Sequence, residues 1–340
     1  MKNPKVAVVI LNHNGWRDTA QCLKSFAKQT YKNYQIILID NGSSDESVVE
    51  LEKNINKKTL FIKESINHGF AGGVNIGIKY AIKNKFDMVA LLNNDTWTDK
   101  KWLDNLVTIL LKKPEAGIIT GLLLDYDGKN IDGAGDVFSK WGLQALRLNE
   151  EPKNLAPNSE YVFGATGGAS LYRTDMFKDI GLFDEKYFAY DEDVDISFRA
   201  QLAGYKIWYE KSAVAYHKHG ATSNKKPGFV THQLFRNLPM LHIKNIPFPL
   251  NITIGFRFFC LYWAFAIYKI PTGEFFSAVK GIFSGISLWP HAFAERRRIQ
   301  KTKRVNYKYI KSMLYPKIPL RSARKIEEFL HIKIDRKNRY

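Results

Sequence analysis

Four carboxylates, Asp191, Glu192, Asp193 and Asp195, fall within five residues of the segment YDEDVDISFRA. Acids this close repel one another unless a cation or a shared proton relieves them, and the repulsion raises at least one pKa. A carboxylate of raised pKa beside a ligand crevice is suited to general-base work. The competing reading is helix capping, because acids are also favoured at helix starts. A fifth acid, Asp95, closes the segment LLNND, in which two leucines end an apolar run and Asn93 and Asn94 follow without a turn glycine. That segment reads either as a loop or as a metal arm in which an amide replaces one carboxylate. His217, at the end of the run AVAYH, is the remaining candidate ligand. A strand-end histidine is ordinarily a surface or hydrogen-bonded residue, and ligation gains force only if His217 lies near Asp95.

Two further segments suit a phosphorylated ligand. In NHGFAGGVNIG, residues 67–77, small side chains would let backbone amides approach a diphosphate at a helix N-terminus. The same glycines are equally suited to close helix–sheet packing. The spacing is neither G-x-G-x-x-G nor a P-loop with its Lys-Ser/Thr pair, which argues against dinucleotide oxidoreductases and ATPases. In LIDNGSSDES, Asp40 stands at a strand end where it could accept hydrogen bonds from a base or ribose, while Asn41, Ser43 or Ser44 could cap the following helix.

These residues are positioned by an alternation of strand and helix signals over the first 125 residues. Continuous apolar runs at 6–12, 34–40, 59–65 and 87–95 predict parallel strands, and segments at 18–29 and 69–83 have helical spacing. The order implies an open, mostly parallel sheet with helices on both faces. Ligands of such sheets bind beyond the carboxyl ends of the strands. Those ends carry Asn12, Asp40 and Asn93-Asn94-Asp95. From 116 to 220 the pattern shifts to short strands and glycine turns around one helix, 192–204, which ends at Gly204.

The chain has 340 residues, 45% hydrophobic, with a formal charge of +18 and two cysteines. It is long enough for a large α/β domain with an appendage. Two cysteines cannot build a multi-bridge framework, which fits a reducing compartment. The first residues run straight into a strand-like segment, so no signal peptide is expected. Beyond about 230 the composition turns aromatic and basic. Residues 291–340 hold 16 Lys or Arg against 4 Asp or Glu. An apolar stretch from 252 to 268, broken by Arg257, would span ~25 Å as a helix, marginal against a ~30 Å hydrocarbon core. Helices lying in a membrane interface are therefore favoured over a span or a soluble bundle. The expected organisation is residues 1–230 as the α/β domain and 231–340 as a helical, basic, membrane-associating region. The expected place is the cytoplasmic face of the membrane, bound peripherally to anionic lipid. Nucleic acid is not expected, since the acids at 191–195 would repel phosphates. A homodimer through the aromatic tail is the other use of that surface.

In this order the segments VVILNHNG, LIDNGSSDES, NHGFAGGVNIG, ALLNNDTWTD, GATGGASLYRTDMFKDIGLFDEKYFAYDEDVDISFRAQLAGYKIWY and AVAYHKHG resemble the family 2 glycosyltransferases of GT-A fold, in their bacterial rhamnosyltransferase-like and galactofuranosyltransferase-like branch. The resemblance covers roughly residues 5–222. It implies transfer of a sugar, with inversion, from a nucleoside diphosphate sugar such as dTDP-rhamnose to a hydroxyl of a lipid-linked glycan in surface polysaccharide synthesis. It places Asp40 at the base, with Asn12, Asn41 and Ser43 nearby, and Asn67, Gly69, Gly72 and Asn75 around ribose and diphosphate. NND stands where the family has Asp-x-Asp. Asp95 and His217 are then the ligands of a divalent metal, Mg²⁺ or Mn²⁺, with Asn93 and Asn94 beside them. Asp193 matches the catalytic base, and Glu192 the residue contacting the acceptor. Competing readings are a sugar-nucleotide nucleotidyltransferase, disfavoured because no early glycine-rich loop with following Arg and Lys is present, and an inactive membrane-bound sugar-nucleotide-binding protein.

Overall fold

The structure is a computed structural model that describes residues 3–218 and 227–319. Its strands are β1 (Val6–Asn12), β2 (Tyr34–Asn41), β3 (Thr59–Glu64), β4 (Met88–Asn93), β5 (Thr96–Thr98), β6 (Ala116–Leu124), β7 (Ile131–Gly133), β8 (Asp136–Phe138), β9 (Gln144–Leu146), β10 (Glu160–Val162), β11 (Ala169–Arg173) and β12 (Lys206–His217). The helices of the α/β part are α1 (Trp16–Phe26), α2 (Ser47–Asn54), α3 (Gly69–Lys83), α4 (Trp102–Lys112), α5 (Thr174–Ile180) and α6 (Glu192–Leu202). The central sheet runs β10-β12-β6-β11-β4-β1-β2-β3, with β5 added to β12 and β7 to β6, while β8 and β9 pair apart. Strands β1 to β4 are parallel, and β11 is inserted antiparallel between β4 and β6.

The continuous apolar strands do what their composition demands. In β1, Val6, Val8 and Ile10 join a core under α1 and α4 with Phe26, Trp102 and Leu106. Ala7 and Val9 of the same strand face α3, against Val74 and Ile78. A strand buried on both faces needs apolar residues at every position, so no alternation shows in the sequence. The parallel register also sets the ligand edge. Asn12 stands opposite Asp40, and Leu11 opposite Asn93.

The expected strand over 87–95 is shorter than predicted: β4 ends at Asn93, Asn94 and Asp95 form a turn, and β5 follows at once. The predicted caps of the second helix are also absent. No side chain caps α2, which starts at Ser47. Asp45 accepts from the Ser47 N–H at 3.0 Å, whereas Ser43 is drawn back to Asp40.

Five further helices follow: α7 (Phe229–Asn245), α8 (Leu250–Tyr268), α9 (Phe275–Ile286), α10 (Trp289–Thr302) and α11 (Tyr307–Met313). Residues on both sides of position 230 share a core, in which Phe138, Phe163 and Phe198 meet Met240, Leu241, Ile299 and Ile310. Tyr315 is bridged to Ser139, and its N–H donates to the Phe138 carbonyl at 2.9 Å. Helix α8 buries Leu250, Ile254, Phe258, Tyr262 and Ala266, a four-residue repeat that follows one helix face. Its outer face exposes Ile252, Phe256, Phe259, Trp263 and Ile267. It is the one described helix long and apolar enough to cross a membrane, and only 28% of its most apolar window is buried. The basic residues from 320 onward lie outside the described residues.

Candidate active site

The turn after β4 and the end of β12 are brought together by β5. This short strand pairs antiparallel with β12, setting Thr96 opposite His217 and Trp97 opposite Tyr216. Asp95, one residue before β5, therefore arrives beside the imidazole, its Oδ1 3.2 Å from His217 Nε2. The other ring nitrogen, Nδ1, lies 2.8 Å from Oδ2 of Asp132, whose side chain is 1% exposed. Asp132 ends no apolar run and belongs to no segment singled out in the sequence. Its signal is only that two acids, Asp132 and Asp136, interrupt the small and apolar residues of NIDGAGDVF. Burial alone would lower the His217 pKa, but hydrogen bonds and charge from Asp132 and Asp95 outweigh it and push it up to about 10.

The neighbouring amides hold this corner. Asn94 donates to Thr19 Oγ1 at 3.0 Å, which ties the turn to α1. A β-carbon on Gly15 would stand 2.9 Å from the Asn94 side-chain nitrogen. The Asn93 N–H donates to the Gly168 carbonyl at 2.8 Å, so its backbone links β4 to the loop before β11.

The donor set suits a divalent cation that accepts both oxygen and nitrogen: one carboxylate, one imidazole and an amide oxygen within the same turn. Asp132 engages the far ring nitrogen, so it orients the ring rather than adding a ligand. Among the described residues no group of three or more His, Cys, Asp or Glu side chains is arranged to hold a metal ion. Two such ligands alone would give weak binding, so a cation here would need further oxygen ligands.

At the edge formed by β1 and β2, Asp40 is 1% exposed and its carboxylate is used inside the protein. Oδ2 accepts from Asn12 at 2.8 Å and from Ser43 Oγ at 2.7 Å, while Oδ1 accepts from the Ser43 N–H. Asn12 in turn accepts from Thr19. Asp40 therefore fixes the shape of the 40–44 loop. Asn41 donates to Asn67 and to the Gly69 carbonyl and accepts from the His68 N–H, bracketing the loop that leads into α3.

The glycine-rich segment resolves toward packing. The α3 N-terminus is already engaged, because the Phe188 carbonyl accepts from the Phe70 N–H at 2.6 Å and from Ala71 at 3.3 Å. A β-carbon on Gly69, which has φ +70°, would lie 2.3 Å from that same oxygen. One on Gly73 would meet Leu11 at 2.5 Å, and one on Gly77 would meet Val9 at 2.7 Å. A β-carbon on Gly72 would crowd His68. Two of the amides at this helix start therefore receive the loop that carries Phe188. Asn75 is also engaged within the protein. Its amide donates to the Phe183 carbonyl and to Glu185, and accepts from the Phe183 N–H, leaving no free N–H for a nucleotide.

The four clustered acids part company in the structure. Asp195 is fully buried and paired, with Arg199 at 2.8 Å and Lys244 at 2.9 Å, and Asn245 donates to it at 2.8 Å. Burial would raise its pKa, yet the two cations hold it far below the usual carboxylate range. It is a structural acid. Asp193 is the one of the four that is only partly buried. It accepts from the Gly167 N–H at 3.2 Å and from its neighbour Val194 at 2.8 Å. Burial raises its pKa against those two hydrogen bonds. Asp191 and Glu192 are raised as well, by burial and then by the charge of Asp193. Both oxygens of Asp191 and Oε2 of Glu192 lack a hydrogen-bond partner among the described residues.

The backbone before α6 is strained. Phe188, Tyr190 and Asp191 all have φ between +63° and +71°. Non-glycine residues there cost ~1–3 kcal/mol each and persist only when neighbours impose them. Asn237 of α7 imposes them, its amide 3.0, 2.9 and 2.8 Å from the carbonyls of Tyr187, Ala189 and Tyr190. Neither Asn237 nor Lys244 was legible in the sequence.

The loop before β11 links the two parts of the site: the Gly167 N–H donates to Asp193, and the Gly168 carbonyl accepts from Asn93, two residues before Asp95. The model of glycosyl transferase family 2 matches residues 7–181, half of the chain. The chain belongs to glycosyl transferase family 2. Its likeness to the N-acetylglucosaminyl-diphospho-decaprenol L-rhamnosyltransferase of Mycobacterium tuberculosis is 26% identity over 243 residues, covering 65% of this chain and 78% of that one. Among solved structures, S. aureus TarS superposes with a TM-score of 0.55 at 15% identity, covering 92% of this chain and 93% of that one. The mannosyltransferase PcManGT of Pyrobaculum calidifontis, solved with GDP-Man and Mn²⁺, gives 0.54 at 13% identity, with 92% and 86% covered. For this family 2 glycosyltransferase the two superpositions establish the fold alone.

Proposed function

We propose that the enzyme transfers a sugar, with inversion, from a nucleoside diphosphate sugar to a hydroxyl of a lipid-linked glycan in bacterial surface polysaccharide synthesis. The observation that carries the reading is the meeting of Asp95 and His217 across the β5–β12 pair. Asp193 takes the proton of the acceptor hydroxyl. That oxygen attacks the anomeric carbon from the face opposite the diphosphate, and the bond from the anomeric carbon to the diphosphate oxygen breaks with its electron pair leaving on the diphosphate. A divalent cation, Mg²⁺ or Mn²⁺, held by Asp95 and His217 with Asn93 alongside would neutralise charge on the leaving group. Asp132 keeps the His217 ring turned so that Nε2 faces that position. One base is enough for this chemistry, whereas a glycoside hydrolase needs two carboxylates flanking the bond. The loop ordered by Asn12, Asp40 and Ser43 receives the nucleoside end, and Glu192 meets the acceptor. dTDP-rhamnose is the favoured donor, in keeping with the mycobacterial relative's name.

The lipid-linked acceptor is supported by the outer face of α8 to α10. Phe256, Phe259 and Trp263 of α8, Phe276 and Phe283 of α9, and Trp289 and Phe293 of α10 are all exposed. Exposed cations on the same helices, Arg257, Lys280, Arg297 and Lys301, complement anionic headgroups. The enzyme then lies on the cytoplasmic face of the membrane as a peripheral protein. A homodimer closed through this face is the other occupant.

Incubation of the full chain with UDP-, GDP- and dTDP-sugars, Mn²⁺ or Mg²⁺ and membrane extract as acceptor tests the reaction. Release of nucleoside diphosphate from one donor is the expected result. No release from any of them contradicts it.

A further inference from the structure

Four aromatic rings from three separate segments gather before α6, the helix that carries Asp193. Phe70 and Asp193 both flank Gly167: a β-carbon there would lie 3.2 Å from the Phe70 ring and 3.5 Å from the Asp193 β-carbon. The Phe70 N–H donates to the Phe188 carbonyl at 2.6 Å. The rings of Phe188 and Tyr190 lie 6.5 and 6.3 Å from the ring of Phe229, at the start of α7. All four side chains are half-buried. Rings in mutual contact and in reach of solvent form a patch, and such patches mark binding surfaces in a way that scattered exposed residues do not. Phe188 and Tyr190 hold their places with φ of +63° and +71°, which bulky side chains rarely adopt. Strain of this kind gathers at ligand sites.

The patch adjoins the outer face of the C-terminal helices. Helices α7 and α9 run side by side in the same direction. A β-carbon on Gly228 would lie 2.2 Å from Ser277 Oγ, one on Gly281 2.4 Å from the His232 carbonyl, and one on Gly285 2.8 Å from the Arg236 carbonyl. Thr231 also donates to Glu274 at 2.8 Å, so the start of α9 is fixed beside the start of α7. Phe229 follows Gly228, and Phe276 precedes Ser277. The ring that meets Tyr190 is therefore one contact away from Phe276, which at 77% is the most exposed large apolar side chain among the described residues. From Asp193 the aromatic surface leads through Tyr190 and Phe229 to the face assigned above to lipid. A molecule with a sugar at one end and a lipid at the other matches that order. The C–H faces of a sugar ring are apolar and its rim carries hydroxyls. Such a ring can lie against an aromatic face while it turns one hydroxyl toward an acid.

We propose that Tyr190 and Phe229 form the acceptor subsite, on which the sugar of a lipid-linked saccharide lies while its lipid leaves along Phe276. This rests on the transfer reaction proposed above. The test uses the full chain, the donor that the wild type turns over, and a detergent-solubilised membrane lipid extract titrated as acceptor. In Phe229→Ala the apparent acceptor KM should rise roughly three- to ten-fold. The donor KM, and binding of the donor's nucleoside diphosphate with Mn²⁺ by calorimetry, should be unchanged. Phe229→Trp should keep the wild-type acceptor KM. Phe229→Leu, which fills the space without a flat ring, should resemble Phe229→Ala. Tyr190→Leu should raise the same constant.

An unchanged acceptor KM in Phe229→Ala overturns the proposal. So does a Phe229→Leu variant that behaves as wild type, because the ring then only packs. A raised donor KM or weakened nucleoside diphosphate binding also overturns it, since the rings then serve the donor or the fold. Failure of the transfer reading is seen separately, as no turnover of any donor by the wild type.

Discussion

Asp132 and His217 lie 85 positions apart in the chain and 2.8 Å apart in the fold. The contact fixes which imidazole nitrogen is left to face Asp95. Carboxylate partners of ligating histidines usually matter for metal affinity about as much as tens of fold in binding. Asp132→Asn should therefore weaken Mn²⁺ binding, read by electron paramagnetic resonance in the presence of nucleoside diphosphate, by ~10–100-fold. Nucleotide binding without metal should stay as it was. Unchanged Mn²⁺ affinity would show that Asp132 only pairs with a protonated histidine.

The pKa of Asp193 is raised by burial. A general base works deprotonated, so activity should fall as pH falls through that raised value. The acid limb of the kcat/KM profile is thus expected above the ordinary aspartate value of about 3.9. A limb at or below that value, with sugar still transferred to the acceptor hydroxyl, would assign the proton to another group.

Asn237 donates to the carbonyls of the loop before α6, so the role proposed for it is positioning. Asn237→Ala should release the strained carbonyls of Tyr187, Ala189 and Tyr190 and lower kcat while leaving the nucleotide dissociation constant in place. A change confined to nucleotide affinity would contradict a positioning role.

Lys244 is fully buried between Asp184, at 2.5 Å, and Asp195. Lys244→Met leaves both acids without their shared cation, and breaking a buried pair from one side costs ~3–5 kcal/mol. Chemical denaturation should show a loss of that order. The low folded pKa of Asp195 adds a sign: its stabilisation is present above the unfolded carboxylate pKa and disappears as pH falls toward the depressed one. Lys244→Met should therefore flatten the loss of stability at acid pH.

If the outer face of α8 lies on lipid, Phe256→Glu and Trp263→Glu should each weaken binding to vesicles containing anionic lipid by ~10-fold or more. Loss of a dimer in gel filtration, with vesicle binding intact, would assign the face to a second copy instead.

The sheet and its ligand edge were legible because their signals are local. Runs such as VAVVILN declare a doubly buried strand, and each run stops at the polar residue that ends it. The pairing of Asp95 with His217 was expected only as a condition, and it required β5, a three-residue strand too short to read. The glycines of 67–77 left two readings open, and the packing against Phe188, Leu11 and Val9 is visible only in the fold. Asp132, Asn237 and Lys244 were missed for one reason. Their partners are distant in sequence, as with the 47 positions that separate Asn237 from Tyr190, so composition and periodicity carry no trace of them.

The most direct measurement of the account compares wild type with Asp193→Asn for release of nucleoside diphosphate from the active donor, with acceptor and Mn²⁺ present. The account predicts loss of ~100-fold or more in transfer, with binding of nucleoside diphosphate and Mn²⁺ by calorimetry retained. Equal transfer by both proteins would contradict it.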